Sequence, residues 1–270
     1  MLDDRSPLYA DVVRGRGGIA GGLFTTANEE STVVSPIPAQ FAYFDGASGS
    51  FISTPDSAAV SITGDIQFIF KIRLPSYRKA TSQEIIGKRN TPSNDGSYNV
   101  GLVATTGVLR VNTFSLGTLA SAVTRDSTAS LATVVFDNES IWCRIKIDVD
   151  NGAAGSDTTF DTSTDYDADA YSGTWTPLGA TVTVAGVDSI YNSVTTLNLG
   201  ANLPTGTNNM LAGRIYRAQI FNSLTASASS LKADFNAEDA DLTTSIPSTV
   251  TSSRTGEVWT MNGNAGIRRQ

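Results

Sequence analysis

From about residue 40 onward, short apolar stretches alternate with polar turns along the chain. The stretch DIQFIFKIRL shows the pattern most clearly. Every second position in it is apolar, namely Ile66, Phe68, Phe70, Ile72 and Leu74. Polar side chains fill the positions between, and Ile69 alone interrupts them. A period of two is typical of a β-strand with one buried face, so this stretch is predicted to be such a strand.

The stretch IWCRIKIDVDNG repeats the pattern. One face carries Ile141, Cys143, Ile145, Ile147 and Val149, while the other carries Trp142, Arg144, Lys146 and Asp148. The closing Asp-Asn-Gly predicts a turn. Cys143 is the only cysteine, which excludes an intramolecular disulfide, and its place on the apolar face predicts a small buried core residue.

About a dozen strands of this kind follow one another, and the one predicted helix is TASASSLKADFNAED, residues 225–239. Abundant Gly, Ser, Thr, Asn and Asp favour strands and turns over helices. The predicted fold class is all-β, a β-sandwich of two antiparallel sheets over residues 39–270. Residues 1–38 lack this periodicity and are predicted to be an extended, glycine-rich N-terminal arm.

Within the arm, ADVVRGRGGIAGGLF contains G-x-G-x-x-A at Gly15, Gly17 and Ala20. A dinucleotide fingerprint needs these residues to join a strand to a helix, but glycines and prolines follow, and no βαβ unit is predicted. The stretch RGRGG resembles one copy of an RNA-binding Arg-Gly-Gly box, which in an acidic chain does not support nucleic-acid binding.

An extended arm can instead dock on a partner protein through backbone hydrogen bonds, and glycine permits close approach of the two chains. The predicted docking residues are Arg5, Tyr9, Val12, Val13, Arg14, Arg16, Ile19 and Phe24.

Charge and composition narrow the function classes. The 19 basic and 26 acidic residues give a net charge of −7, which argues against binding to nucleic acid or an anionic membrane. No apolar segment approaches the roughly 20 residues of a membrane span, and we expect no secretory signal. The chain has no histidine, the commonest general base and zinc ligand, so we expect a non-enzymatic protein.

Several stretches in order resemble the concanavalin A-like, laminin G-like jelly roll. They are FAYFDGASGSFISTPDSAAVSITGDIQFIFKIRL, EIIGKRN, GSYNVGLVATTGVLRV and LAGRIYRAQIFNSL. The resemblance covers residues 41–224 and implies the same sandwich.

Glucanases of this fold carry Glu-x-Asp-x-Glu on one strand, and this motif is absent here. The acidic residues Glu238, Asp239 and Asp241 lack that spacing and are interpreted as a solvated turn.

A narrower resemblance rests on SIWCRIKIDVDNGAAGSDTTFDTS, TWTPLGATVTVAGVDSIY, LAGRIYRAQIFNSL and GEVWTMNGNAGI. These are similar to the version of the domain found in minor tail proteins and other virion proteins of tailed bacteriophages. The resemblance implies a homo-oligomeric structural protein of the virion, a minor tail or head decoration protein whose arm docks on other virion proteins.

The insertion DTSTDYDADAYSG, residues 161–173, departs from that pattern and carries candidate chemistry. Asp165, Asp167 and Asp169 have the Asp-x-Asp-x-Asp spacing of a calcium loop, which makes calcium the candidate cofactor. Ala170 and Thr176 replace the glycine and glutamate that an EF-hand needs, so an EF-hand is excluded. The alternative is a plain acidic surface loop.

Three aromatic residues lie in or beside the same insertion, namely Tyr166, Tyr171 and Trp175. An exposed ring beside Asp or Asn acceptors is the arrangement of a lectin site, which makes these residues candidates for binding a host surface glycan. Such rings also pack over their own loops. A virion structural role and a carbohydrate-binding adhesion role therefore both stay open at the sequence level.

Overall fold

Two antiparallel β-sheets pack face to face in the computed structural model, which describes residues 39–90, 95–202, 209–243 and 245–270. The strands in chain order are β1 (Gln40–Asp45), β2 (Phe51–Thr54), β3 (Ile66–Arg73), β4 (Gln83–Asn90), β5 (Asp95–Leu102), β6 (Val108–Phe114), β7 (Ala122–Ser130), β8 (Ser140–Asp148), β9 (Gly155–Ser163), β10 (Thr176–Pro177), β11 (Val182–Ala185), β12 (Leu197–Leu199), β13 (Ala212–Phe221), β14 (Leu231–Asn236), β15 (Thr249–Thr251), β16 (Val258–Asn262) and β17 (Gly266–Arg269). Three short 3-10 helices span Leu119–Ser121, Leu131–Thr133 and Ala237–Asp239. No helix in these ranges has the length and apolar character needed to cross a membrane.

The strand order interleaves distant parts of the chain. Sheet A runs β10-β9-β8-β3-β13-β1-β17, with β11 also paired to β9 and β14 to β13. Sheet B runs β15-β16-β2-β12-β4-β5-β6-β7. This arrangement confirms the predicted two-sheet antiparallel sandwich.

The predicted docking residues Arg5, Tyr9, Val12, Val13, Arg14, Arg16, Ile19 and Phe24 lie outside the described residues.

The core lies between the two sheets and follows the period-two pattern. Phe68 and Phe70 of β3 are fully buried and pair in register with Ile145 and Cys143 of β8. Cys143 is buried, as predicted, and its burial raises the pKa of the thiol. Trp259 on β16 also packs in this core.

A second apolar cluster covers part of the outer face of sheet A. It consists of Ile69, Trp142, Tyr166, Ala168, Phe221 and Leu231. Ile69 interrupts the polar face of β3 because the 161–173 insertion folds over it. Trp142 is buried in this outer cluster rather than between the sheets.

The prediction of a helix over residues 225–239 is wrong. The segment forms β14 and the short 3-10 helix Ala237–Asp239. Five residues of β14 have register partners on β13, and Ala233 and Phe235 lie in the core. These tertiary contacts outweigh the local helix propensity of the segment. The predicted Asp-Asn-Gly turn is confirmed between β8 and β9, with Gly152 at φ +73°.

Candidate functional site

The aromatic residues of the insertion pack against one another and against sheet A. The Tyr166 ring lies 5.1 Å from that of Trp142 and 4.9 Å from that of Trp175. The Arg144 guanidinium lies 4.4 Å from the centre of the Trp175 ring. Tyr166 is therefore buried and Trp175 half-buried, and part of the Trp175 surface is already covered.

Two arginines fasten the insertion to the sheet. Arg217 donates to both carboxylate oxygens of Asp234, at 2.9 and 2.6 Å, and to Asp169 at 2.8 Å. Arg254 donates to the carbonyl oxygen of Ala168 and to the hydroxyl of Tyr171. Asp169 and Tyr171 thus act as attachment points of their own loop.

The three predicted calcium ligands do not converge. Asp165 accepts from the Ser163 hydroxyl and the Thr174 amide, both at 2.8 Å, and these bonds lower its pKa, the Thr174 amide contributing most. Asp167 accepts from the Ala170 and Asp169 amides, which lower its pKa as well. The described residues contain no group of three His, Cys, Asp or Glu side chains that could hold a metal. The calcium site at Asp165, Asp167 and Asp169 stays a prediction, and protein donors already engage one oxygen of Asp165 and of Asp167.

A row of small and polar residues crosses the outer face of sheet B, opposite the core. Consecutive members are register partners on neighbouring strands, and the row is Thr249, Thr260, Ser53, Asn198, Gly87, Asn99, Asn112 and Thr124. We call it the polar row. It crosses all eight strands of sheet B.

Side chains at one end of the polar row form a directed chain of hydrogen bonds. The Thr124 hydroxyl donates to Asn112 Oδ1 at 2.6 Å, and Asn112 Nδ2 donates to Asn99 Oδ1 at 3.2 Å. The Asn99 amide also opposes the rise in the pKa of the Glu84 carboxyl group that burial causes. Each amide therefore has a fixed orientation, which prepares the remaining polar atoms for a ligand.

These residues line a groove of about 240 Å³ on β4 to β7. Glycine at position 101 adds no side chain to its floor. Three buried polar atoms around the groove and the polar row have no hydrogen-bond partner in the part of the chain that the structure describes: Glu84 Oε1, Asn198 Nδ2 and Asn202 Oδ1. A Cβ placed on Gly87 would lie 3.2 Å from Glu84 Oε1 and 3.8 Å from Asn202 Oδ1. Gly87 therefore keeps open the space that these oxygens face.

The charges of the groove at pH 7 come from its two arginines. Burial raises the pKa of Glu84 to about 8, so its carboxyl group is mostly protonated. Arg110 is paired with both oxygens of Asp126, at 2.6 and 2.7 Å. Arg89 lies over the ring of Phe114, 5.1 Å from its centre. The lining thus presents amides, hydroxyls, a protonated acid and the Arg89 cation beside apolar surface.

Sequence reasoning missed this groove. The alternation in SYNVGLVA places Asn99 and Gly101 opposite the apolar Tyr98, Val100 and Leu102, which could have assigned both to an outer face. Nothing local, however, indicates that Asn99, Asn112 and Asn198 share one row, because the strand order of sheet B brings them together.

No family model matches the sequence, and no curated protein matches it. A solved structure of a proposed carbohydrate-binding protein from Bacteroides ovatus matches with TM-score 0.57 and 10% identity, over 86% of this chain and 60% of that chain. The LG4-5 domains of mouse laminin alpha1 match with TM-score 0.44 and 11% identity, over 73% of this chain and 44% of that chain. The CBM40 of a Ruminococcus gnavus IT-sialidase, bound to α2,3-sialyllactose, matches with TM-score 0.45 and 12% identity, over 68% of this chain and 92% of that chain.

At these identities the comparisons inform on the fold alone. The chain spans 60% of the length of the Bacteroides ovatus protein. The fold shared with that structure supports the concanavalin A-like sandwich that the sequence resemblance implies.

Proposed function

We propose that this protein is a non-catalytic carbohydrate-binding module and that the groove on sheet B holds the sugar. The observation that carries the proposal is the groove lined by the hydrogen-bonded side chains of Asn99, Asn112 and Thr124 beside Glu84, whose Oε1 has no described partner. An unpaired buried polar group costs about 1–3 kcal/mol, which a ligand that supplies the missing partner recovers. Sugar hydroxyls donate and accept hydrogen bonds, so they suit a lining that contains both donors and acceptors.

The matched Bacteroides ovatus structure supports this proposal only at the level of the fold, since it is described as a proposed carbohydrate-binding protein. The same fold hosts other functions. The proposal therefore rests on the groove.

The groove is better suited to binding than to glycoside hydrolysis. Hydrolysis generally needs two carboxyl groups on either side of the scissile bond. Glu84 is the single acidic residue in the described lining of this groove. The nearby Asp126 is already paired with Arg110 in a bidentate ion pair.

A glycan array with the full chain tests the proposal. Asn112→Ala removes the donor to Asn99 and breaks the directed chain of hydrogen bonds, so we expect affinity for a bound glycan to fall about tenfold or more. Asn222→Ala is the matched control, because Asn222 is exposed at the end of β13 in sheet A. No glycan binding by the unmodified chain, or equal effects of the two substitutions, would contradict the proposal.

The same array separates the groove from the aromatic insertion. Trp175→Ala leaves the groove intact, and we expect it to keep glycan binding. Loss of binding in Trp175→Ala alone would instead support a site at Tyr166, Tyr171 and Trp175. Repeating the array with a chelator tests for calcium, and we expect no change.

We further propose that the module belongs to a bacteriophage virion as a homo-oligomeric minor tail or decoration protein. This proposal rests on the sequence motifs shared with tail proteins and on the predicted docking arm. Removing residues 1–38 should then abolish incorporation into particles while glycan binding persists. Normal incorporation of the shortened chain would refute the docking role of the arm.

A further inference from the structure

The outer face of sheet A carries a group of cations and rings beside the outer apolar cluster, and Lys71 at its edge lies 5.7 Å from the centre of the Trp142 ring. We call this group the basic stripe; its cations are Lys71, Arg73, Arg214 and Arg268, and its rings are Phe41, Tyr43 and Tyr216. Sheet B, with its groove, lies on the other side of the core. The basic stripe is therefore a separate surface.

Register places these residues side by side. Arg73 on β3 is the partner of Arg214 on β13, and Arg214 is the partner of Tyr43 on β1. Phe41 on β1 is the partner of Arg268 on β17. The four strands β3, β13, β1 and β17 lie next to one another, so the stripe extends about 14 Å across the sheet.

Aromatic rings contact three of the four cations. The Arg268 guanidinium lies 3.9 Å from the centre of the Tyr43 ring, and the Arg214 guanidinium lies 4.1 Å from that of Phe41. Lys71 Nζ lies 5.5 Å from the centre of the Tyr216 ring. A guanidinium that stacks on a ring uses its flat face and leaves its N–H edge for an anion. Because the ring already restricts the arginine side chain, binding an anion costs little further side-chain entropy.

The four cations are not neutralised within the described ranges. None of them forms an ion pair with a described carboxylate, whereas Arg144 and Arg217 on the same sheet are paired with Asp161 and Asp234. The nearest carboxylate on β1 is Asp45, which accepts from the Ala47 amide and from Asn264. A local excess of positive charge therefore persists in a chain whose net charge is −7.

We propose that the basic stripe binds an acidic polysaccharide, with the arginine edges holding its carboxylate or sulfate groups. Arginine binds such anions through paired N–H bonds. Duplex DNA carries one negative charge per roughly 1.7 Å, so the net negative charge of the protein repels DNA strongly. A polysaccharide with more widely spaced charges is repelled much less. The rings lie under the cations, which leaves little ring surface for nucleobase stacking.

Binding of the full chain to polygalacturonate and to chondroitin sulfate, with neutral dextran as reference, tests the proposal. We expect binding to at least one acidic polymer, weakened by added salt, and none to dextran. The double substitution Arg214→Gln and Arg268→Gln should weaken this binding about tenfold or more.

Arg269→Gln is the matched control. Arg269 follows Arg268 on β17, so its side chain points to the other side of the strand, and the substitution removes the same charge. We expect it to change the affinity less than about twofold, and Asn112→Ala in the groove to behave likewise. Unchanged thermal melting would show that the double variant is folded. The proposal fails if neither acidic polymer binds, if Arg269→Gln matches the double variant, or if a DNA duplex or an anionic phosphatidylserine vesicle binds more tightly through the same arginines.

Discussion

At the scale of single residues, Glu84 shows how the groove differs from an ordinary surface. Its side chain is 3% exposed, and one carboxylate oxygen has no described partner. Charging this group would leave a buried anion, so burial raises its pKa from 4.5 to about 8. The folded protein therefore holds a proton that the unfolded chain releases at much lower pH.

This proton makes stability depend on pH. Between about pH 4.5 and pH 8 the folded state binds one more proton at Glu84 than the unfolded state, so the free energy of unfolding falls as pH rises, on the order of 1 kcal/mol per pH unit. Glu84→Gln keeps the shape without a titrating group. We expect a flatter profile for Glu84→Gln and a stability advantage at pH 8 that shrinks toward pH 5, measured by urea unfolding. Parallel profiles would contradict the assigned pKa.

Arg217 and Asp234 form a buried ion pair whose loss should lower the stability of the fold. Arg217→Ala removes both hydrogen bonds to the buried Asp234 carboxylate and leaves it only the Arg254 guanidinium at 4.0 Å, so we expect a loss of about 3 kcal/mol in the free energy of unfolding. Asp169→Ala removes the exposed partner of the same arginine and should cost less than about 1 kcal/mol. Denaturant unfolding of both variants distinguishes them, and similar small losses would show that the buried pair contributes little.

At the scale of elements, the groove depends on close approach of β4 and β5. A Cβ on Gly101 would lie 2.5 Å from the carbonyl oxygen of Gln83, which belongs to the backbone and cannot move independently of β4. Position 101 is thus restricted to glycine by the neighbouring strand.

Gly101→Ala should therefore displace β4. We expect a loss of about 1–3 kcal/mol in the free energy of unfolding and weaker glycan binding, because Glu84 follows Gln83 directly. Gly64→Ala is the control, since a Cβ there meets no atom within 4 Å, and it should shift stability by less than about 0.5 kcal/mol. A stable Gly101→Ala variant with full binding would contradict this account of the groove.

At the scale of the whole molecule, the described residues contain a complete sandwich with a core between its two sheets. The proposed glycan groove lies on the outer face of sheet B and the basic stripe on that of sheet A. The sandwich separates the two surfaces, so two ligands could occupy them without competing.

Residues 39–270 should fold without the preceding segment. We expect the shortened chain to give a β-type circular dichroism spectrum and a melting temperature within about 5 °C of the full chain, because the described residues after position 38 already form a core between the two sheets. A shortened chain that fails to fold would show that residues 1–38 contribute to the core.

Local pattern in the sequence was sufficient for the fold class, the strands β3 and β8 and the burial of Cys143. Side-chain alternation is a local property of extended backbone, so one strand reveals its own two faces. The same reasoning predicted a helix where β14 forms, because the pairing of β14 with β13 is a tertiary contact that local pattern does not show.

The candidate sites depended on tertiary structure. Asn198 and Gly87 are far apart in sequence, and only the register of sheet B places them side by side. Arg214 and Arg268 likewise meet the rings of Phe41 and Tyr43 only through the order of sheet A. The sequence by itself determined which faces of each strand are polar; the pairing of distant strands decided which polar residues stand together, because register is set by packing across the whole sandwich.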